Sequence, residues 1–158
     1  MDVPTRYRAT NVVLFVAALA HALATWPLTA VAGLFGGGIA VAFVAELAVV
    51  RARLLDHNVG RRVAGVPVYV LLGWPAVVYA VLRVSLLALP PGPTAAAGAA
   101  VLATAGDVVA DPRGVTDGAW SYPDHPLSRP RYRGVPWWNF AGWLAVAFAV
   151  AMTPAMLG

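Results

Sequence analysis

Apolar stretches long enough to cross a lipid bilayer fill most of this chain, and no other feature limits its fold as strongly. A bilayer core of about 30 Å takes about 20 consecutive, mostly apolar helical residues. Five stretches qualify: residues 11–30, 35–50, 66–89, 94–111 and 138–157. The third carries Trp74-Pro75 in its middle. The fourth is the weakest, short and rich in Ala and Gly, but small residues let helices approach closely inside a bundle. A soluble all-α core would need polar stripes at helical spacing, and these segments have almost none. Composition agrees: 60% of the residues are hydrophobic and 11% charged, against about 25% charged in a soluble domain. The expectation is an all-α, polytopic integral membrane bundle of about five transmembrane helices, one transmembrane domain over residues 1–158.

Charge placement orients this bundle. Arg6 and Arg8 precede the first span, and the connection to the second carries no charge. Arg51, Arg53, Arg61 and Arg62 follow the second span, and the Pro-rich turn after the third is uncharged. Arg113, Arg129, Arg131 and Arg133 follow the fourth, and the C-terminal tail is uncharged. Basic and uncharged connections alternate, as five spans require under the positive-inside rule. The N-terminus and both long loops are therefore expected in the cytoplasm and the C-terminus outside, in a multi-pass protein of the cell membrane. All 11 basic residues are Arg, and 10 of them fall on one side, so the net charge of +4 is an orientation signal. No nucleic-acid partner is expected.

The absence of Cys excludes disulfide scaffolds, thiolate metal sites and Cys nucleophiles. No zinc pattern or phosphate-binding loop occurs, so no metal site of those kinds is expected. Residues 1–24 have the outline of a signal peptide, but apolar sequence continues past Trp26, so an uncleaved span is expected. Gly36-Gly37-Gly38 and Pro90-Pro91-Gly92-Pro93 read as hairpin turns. No internal repeat is evident.

Ionisable groups inside spans are costly and mark functional sites. Glu46 lies near the inner end of span two. Asp107 and Asp111 lie at the inner end of span four, four residues apart and so on one helical face. Asn139 opens span five at the same depth. These four converge on the cytoplasmic edge of the bilayer. Arg83 lies near the outer end of span three, roughly 20 Å from the Glu46 level at 1.5 Å per residue, so it is expected to pair with neither Glu46 nor Asp107. It is read as snorkelling outward. His21, near the middle of span one, is expected to be buried and bonded to a neighbour, with proton handling or substrate contact as its functional alternative. The loop 112–137 holds five prolines together with Trp120, Tyr122, Tyr132 and Trp137. It is expected to be a structured cap, most mobile over residues 124–133.

Burial of an acid at an apolar boundary disfavours its charged form, which suits a general acid near neutral pH. Aromatic faces stabilise cations. An acid, aromatic walls and water access suit protonation of an alkene followed by addition of water, on a lipid-soluble substrate entering from the bilayer. Two alternatives stand beside this. Asp107-x-x-x-Asp111 can hold Mg²⁺ for a diphosphate in prenyl transfer, although only one acidic motif is present. Both Asp residues can also serve structurally, capping the helix or pairing with a loop cation such as Arg113, which Asp111 needs against the helix macrodipole.

From Ala105 the chain reads A-G-D-V-V-A-D-P-R-G-V-T-D-G-A-W and later R-G-V-P-W-W-N-F-A-G-W. Asp107 on a helix ending in Asp111-Pro112, Gly118-x-Trp120, Gly134-Val135-Pro136, Asn139-Phe140 and Gly142-Trp143 resemble the carotenoid biosynthesis membrane proteins typified by bisanhydrobacterioruberin hydratase, of haloarchaea and some bacteria. Glu46 and Gly65-Val66-Pro67 are weaker echoes upstream, so the resemblance covers the last two thirds of the chain, as in a short member. It implies addition of water across the terminal C=C bond of an acyclic C50-type carotenoid, giving a tertiary alcohol, with no organic cofactor. Asp107 is then the candidate general acid, with Glu46 or Asp111 orienting water and Asn139 bonding the water or an acid. Trp120, Trp138, Trp143, Tyr69, Trp74 and His21 are candidate substrate-binding residues. The implied partners are the carotenoid, the bilayer and other carotenoid-pathway membrane enzymes. A non-catalytic carotenoid-binding or assembly subunit is the alternative of a different class.

Overall fold

The computed structural model describes residues 2–157. Met1 and Gly158, the residue expected to end the chain outside the membrane, lie outside the described residues. Helix α1 runs Val3–Thr25. A continuous rod follows, made of α2 (Leu28–Val31), a π-helical stretch (Ala32–Gly37) and α3 (Gly38–Arg51). Then come α4 (Val68–Ser85), α5 (Pro93–Thr116) and α6 (Trp137–Leu157). α1, the Leu28–Arg51 rod, α4 and α5 are each long and apolar enough to cross a membrane. α6 spans 21 residues without an Asp, Glu, Lys or Arg. The outward faces are apolar: Val13, Val44, Val84 and Val101 are all exposed. Such faces suit lipid and not water, and the chain is a helical membrane bundle.

Several boundaries differ from the sequence expectation, each for a local reason. α1 starts at Val3 and not Asn11, because the Asp2 side chain accepts from the Thr5 N–H and Pro4 sits in the first turn. The first turn is made by Trp26-Pro27, with Trp26 held extended ahead of the proline. Gly36-Gly37-Gly38 is therefore no turn. These glycines continue the rod, and Gly33 and Gly38 press against α6, where an added Cβ would stand 2.7 Å from the Thr153 carbonyl oxygen and 2.9 Å from Val150. α5 passes through Pro112 to Thr116 and does not end at Asp111-Pro112. An interior proline costs about 3 kcal/mol. The extra turn is retained because Gly114 packs directly beneath the Trp120 indole, where no Cβ fits. Pro90-Pro91-Gly92-Pro93 does form a turn, with Gly92 at φ +108°.

The two long connections carry short strands. β1 (Asp56–His57), β2 (Arg62–Val63) and β3 (Val66–Pro67) lie between α3 and α4. β4 (Trp120–Ser121), β5 (Arg131–Tyr132) and β6 (Val135–Pro136) lie between α5 and α6. β2–β3 and β5–β6 are hairpins closed by two-residue turns, Ala64-Gly65 and Arg133-Gly134, with all four residues at positive φ as a type I′ turn requires. β1 pairs antiparallel with β4, which joins the two connections at one end of the bundle. The 124–133 tract is tied down: Arg131 donates to the carbonyls of Tyr122, Pro123 and Ser128.

These details reveal an internal repeat that the sequence reading missed. α3-β1-β2-β3-α4 and α5-β4-β5-β6-α6 are one unit built twice. α3 ends with Leu54 N–H on the Val49 carbonyl, and α5 ends with Ala119 N–H on the Gly114 carbonyl. Arg53 and Gly118 adopt the same left-handed conformation there. Gly65 faces Val50 as Gly134 faces Val115. Arg62 donates to the His57 carbonyl as Arg131 donates to that of Tyr122. Val68 N–H bonds the Arg61 carbonyl as Trp137 N–H bonds that of Pro130. β1 pairs with its own counterpart β4, as units related by a two-fold axis do. Only R-x-x-G-V-P survives as a shared motif (residues 62–67 and 131–136). Lipid-facing positions accept any apolar residue, so little else was constrained to stay alike.

Candidate functional site

A cavity of about 420 Å³ opens where the two units meet, enclosed by α1, α3, α4, α5, α6 and the β1–β4 ladder. Its walls are mainly apolar, yet Glu46, Asp107 and Asp111 all line it. Each of these residues is buried. Buried acids persist only where hydrogen bonds hold them, and each has a partner here.

Glu46 projects from the last turns of α3. Its Oε2 lies 3.1 Å from His57 Nε2, and its Oε1 accepts from Trp74 Nε1 at 3.0 Å. Asp111 is the same position in the second unit. Its Oδ2 accepts from the Tyr122 hydroxyl at 2.6 Å and from Asn139 Nδ2 at 3.1 Å. Glu46–His57 and Asp111–Tyr122 are both separated by 11 residues. In each unit the helix supplies the acid and the segment after its cap supplies the partner. Burial and the Asp111 carboxylate push the Tyr122 phenol up from its ordinary range, so it stays protonated and donates. Asp107 breaks the symmetry: one turn before Asp111, it occupies the place that the buried Ala42 holds one turn before Glu46. Its Oδ2 accepts from the same Asn139 nitrogen at 2.9 Å, so one amide bridges both aspartates.

The structure thus brings Glu46, Asp107, Asp111 and Asn139 into one pocket. Trp74 and Trp143 stack into one wall at 4.0 Å between centroids, and Tyr69 and Trp120 line the cavity beside them. Trp138 stands behind the site, edge-on to Tyr122 at 5.6 Å, outside the cavity lining. His21 also lies outside it. It is exposed on α1, not buried, and its Nδ1 meets the Tyr79 hydroxyl at 2.6 Å. The reason is that α1 buries only Ala22 and lies at the edge of the bundle. Arg113 is exposed and forms no ion pair among the described residues, so Tyr122 and Asn139 take the role expected of a cation beside Asp111. Arg83 is in no ion pair among the described residues either.

Sequence reasoning missed two site residues, His57 and the role of Tyr122. His57 sits outside every apolar run, so depth arguments passed over it. The signal that finds both is the repeated 11-residue interval from each buried acid, visible once the two R-x-x-G-V-P hairpins are aligned.

Residues 7–157 match the family model described as carotenoid biosynthesis protein, a match that takes in both hairpins and all the long helices but the first turn of α1. No curated protein matches the chain, and no solved structure does.

Proposed function

The chain belongs to the carotenoid biosynthesis protein family, and we propose that its pocket adds water across the terminal C=C bond of an acyclic, C50-type carotenoid in the cell membrane. The observation that carries this reading is the convergence of three buried carboxylates on one mainly apolar cavity walled by stacked indoles. A cavity of about 420 Å³ suits the end group of a long polyene and not its whole length, in the lower range of ligand pockets.

The Asp107 carboxyl gives its proton to the less substituted alkene carbon, and the π pair forms the new C–H bond. A tertiary cation remains, stabilised by the faces of Trp74 and Trp143 and by the neighbouring carboxylates. Water adds its oxygen to that carbon and releases one proton on the Glu46 side. The net change is H and OH added across one double bond, with no electron transferred. Asn139 holds Asp107 and Asp111 in register for the first step.

Co-expression with a pathway that makes acyclic carotenoids tests the reading. Products heavier by one water per end group support it. Hydration lost in Asp107→Asn, with pigment still bound, assigns the acid. Pigment that co-purifies unchanged with the wild-type chain replaces this reading with that of a carotenoid-binding subunit.

A further inference from the structure

Acid-catalysed addition needs a proton acceptor as well as a donor, and the two units of the repeat differ at the position that decides this. In the second unit it is Tyr122, a hydroxyl that donates to Asp111. In the first it is His57, whose ring can accept. We propose that His57, oriented by Glu46, takes the proton from the attacking water through Nδ1. This role rests on the hydration reading above.

Four observations support it. His57 is 7% exposed, and the ring lines the same cavity as the three acids. Its Nε2 lies 3.1 Å from Glu46 Oε2. With the ring hydrogen on Nε2, facing that carboxyl, Nδ1 presents a lone pair. Among the described residues Nδ1 is buried and has no hydrogen-bond partner. Buried polar atoms are seldom left so, and a catalytic role or a bound water is among the reasons for one that is. The pair is also held rigidly. Trp74 fixes the other Glu46 oxygen, Arg62 donates to the His57 carbonyl, and His57 lies opposite Trp120 in the β1–β4 ladder.

The step balances. As the water oxygen bonds the tertiary carbon, one O–H bond breaks. Its electron pair stays on oxygen and its proton moves to Nδ1. The imidazolium that forms faces the Glu46 carboxylate, which stabilises it. The proton returns through solvent to Asp107, which gave one up in the first step. Glu46 is a positioning residue here, setting the tautomer without touching the water.

The test uses the full chain in nanodiscs, labelled with ¹⁵N-histidine. Only three histidines are present, so His21→Gln and His125→Gln assign the signals. The expected spectrum has His57 protonated on Nε2 and bare on Nδ1, with that preference weakened in Glu46→Gln. A hydrogen on Nδ1 with Nε2 bare overturns the proposal, and this measurement needs neither substrate nor a His57 variant. In the co-expression assay His57→Gln is expected to lose hydration by about 100-fold or more, as removal of a general base does, with pigment still bound. Hydration at the wild-type rate in His57→Gln overturns this role alone. A wild-type chain that hydrates nothing overturns both the role and the reading beneath it.

Discussion

The indoles of Trp74 and Trp143 stack at 4.0 Å with their planes 26° apart, each supplied by the same position of its own α–hairpin–α unit. Their symmetry ends at the hydrogen bond. Trp74 Nε1 donates to Glu46 Oε1 at 3.0 Å, while no such bond links Trp143 to an acid among the described residues. Trp74→Phe removes a donor to a carboxylate, worth about 1.5–3 kcal/mol. It is expected to lower hydration roughly tenfold or more, whereas Trp143→Phe keeps most activity. Product ratios in co-expressing cells check this, and equal losses in the two variants would count against a special role for Trp74.

Asn139 donates from one amide nitrogen to both Asp107 and Asp111. Asn139→Ala strips a donor from two buried carboxylates at once and is expected to cost about 1–3 kcal/mol of stability. Asp107→Asn leaves one amide beside another and is expected to unfold near the wild-type temperature while losing hydration. Thermal unfolding in detergent separates the two variants. Equal stability of Asn139→Ala and wild type would show that the bridge is not holding the site.

The hairpin glycines Gly65 and Gly134 have φ +93° and +88°, and each faces a valine at the end of the preceding helix. Alanine at either site takes a left-handed conformation, a cost of about 1–2 kcal/mol. Because the units are equivalent, Gly65→Ala and Gly134→Ala are expected to destabilise alike. A large effect in one and none in the other would argue that the two hairpins do different work.

Gly33 and Gly36 lie in the same π-helical stretch but meet different surroundings. A Cβ at Gly33 would press on the Thr153 backbone, while one at Gly36 meets nothing within 4 Å. Gly33→Ala is expected to cost about 1–3 kcal/mol as overpacking, and Gly36→Ala close to nothing. Denaturation of the two variants side by side reads the difference.

The β1–β4 ladder puts both long connections at one end of the bundle, and Leu87 lies in the connection between α4 and α5. The chain has no Cys, so single cysteines report sidedness without background. Ala52→Cys and His125→Cys are expected to react only in opened cells, and Leu87→Cys in intact ones, as the arginine distribution requires. The reverse pattern would invert the topology.

Some of the site was legible early. Glu46, Asp107, Asp111 and Asn139 were placed together by counting helical rises from span ends, because depth in a bilayer is nearly a linear function of position along a helix. His21 shows the limit of that method. Depth puts it mid-span but says nothing about which face of α1 it occupies, and the structure leaves it exposed. The glycine triplet shows another limit. Gly serves turns and close helix contacts equally well, and only the neighbouring α6 distinguishes them.

The sequence by itself determined that this chain is a helical membrane bundle, roughly where its apolar helices lie, and that Glu46, Asp107, Asp111 and Asn139 fall at one level. Those follow from transfer free energies, which add up residue by residue along the chain. Tertiary structure decided which partner each acid has, that a loop histidine faces one of them, and that α3 to α6 is one unit built twice. Those depend on contacts between residues far apart in sequence, and in lipid many apolar residues satisfy such contacts equally well. The pairing of Glu46 with His57 and of Asp111 with Tyr122 was therefore settled by packing and the β1–β4 ladder.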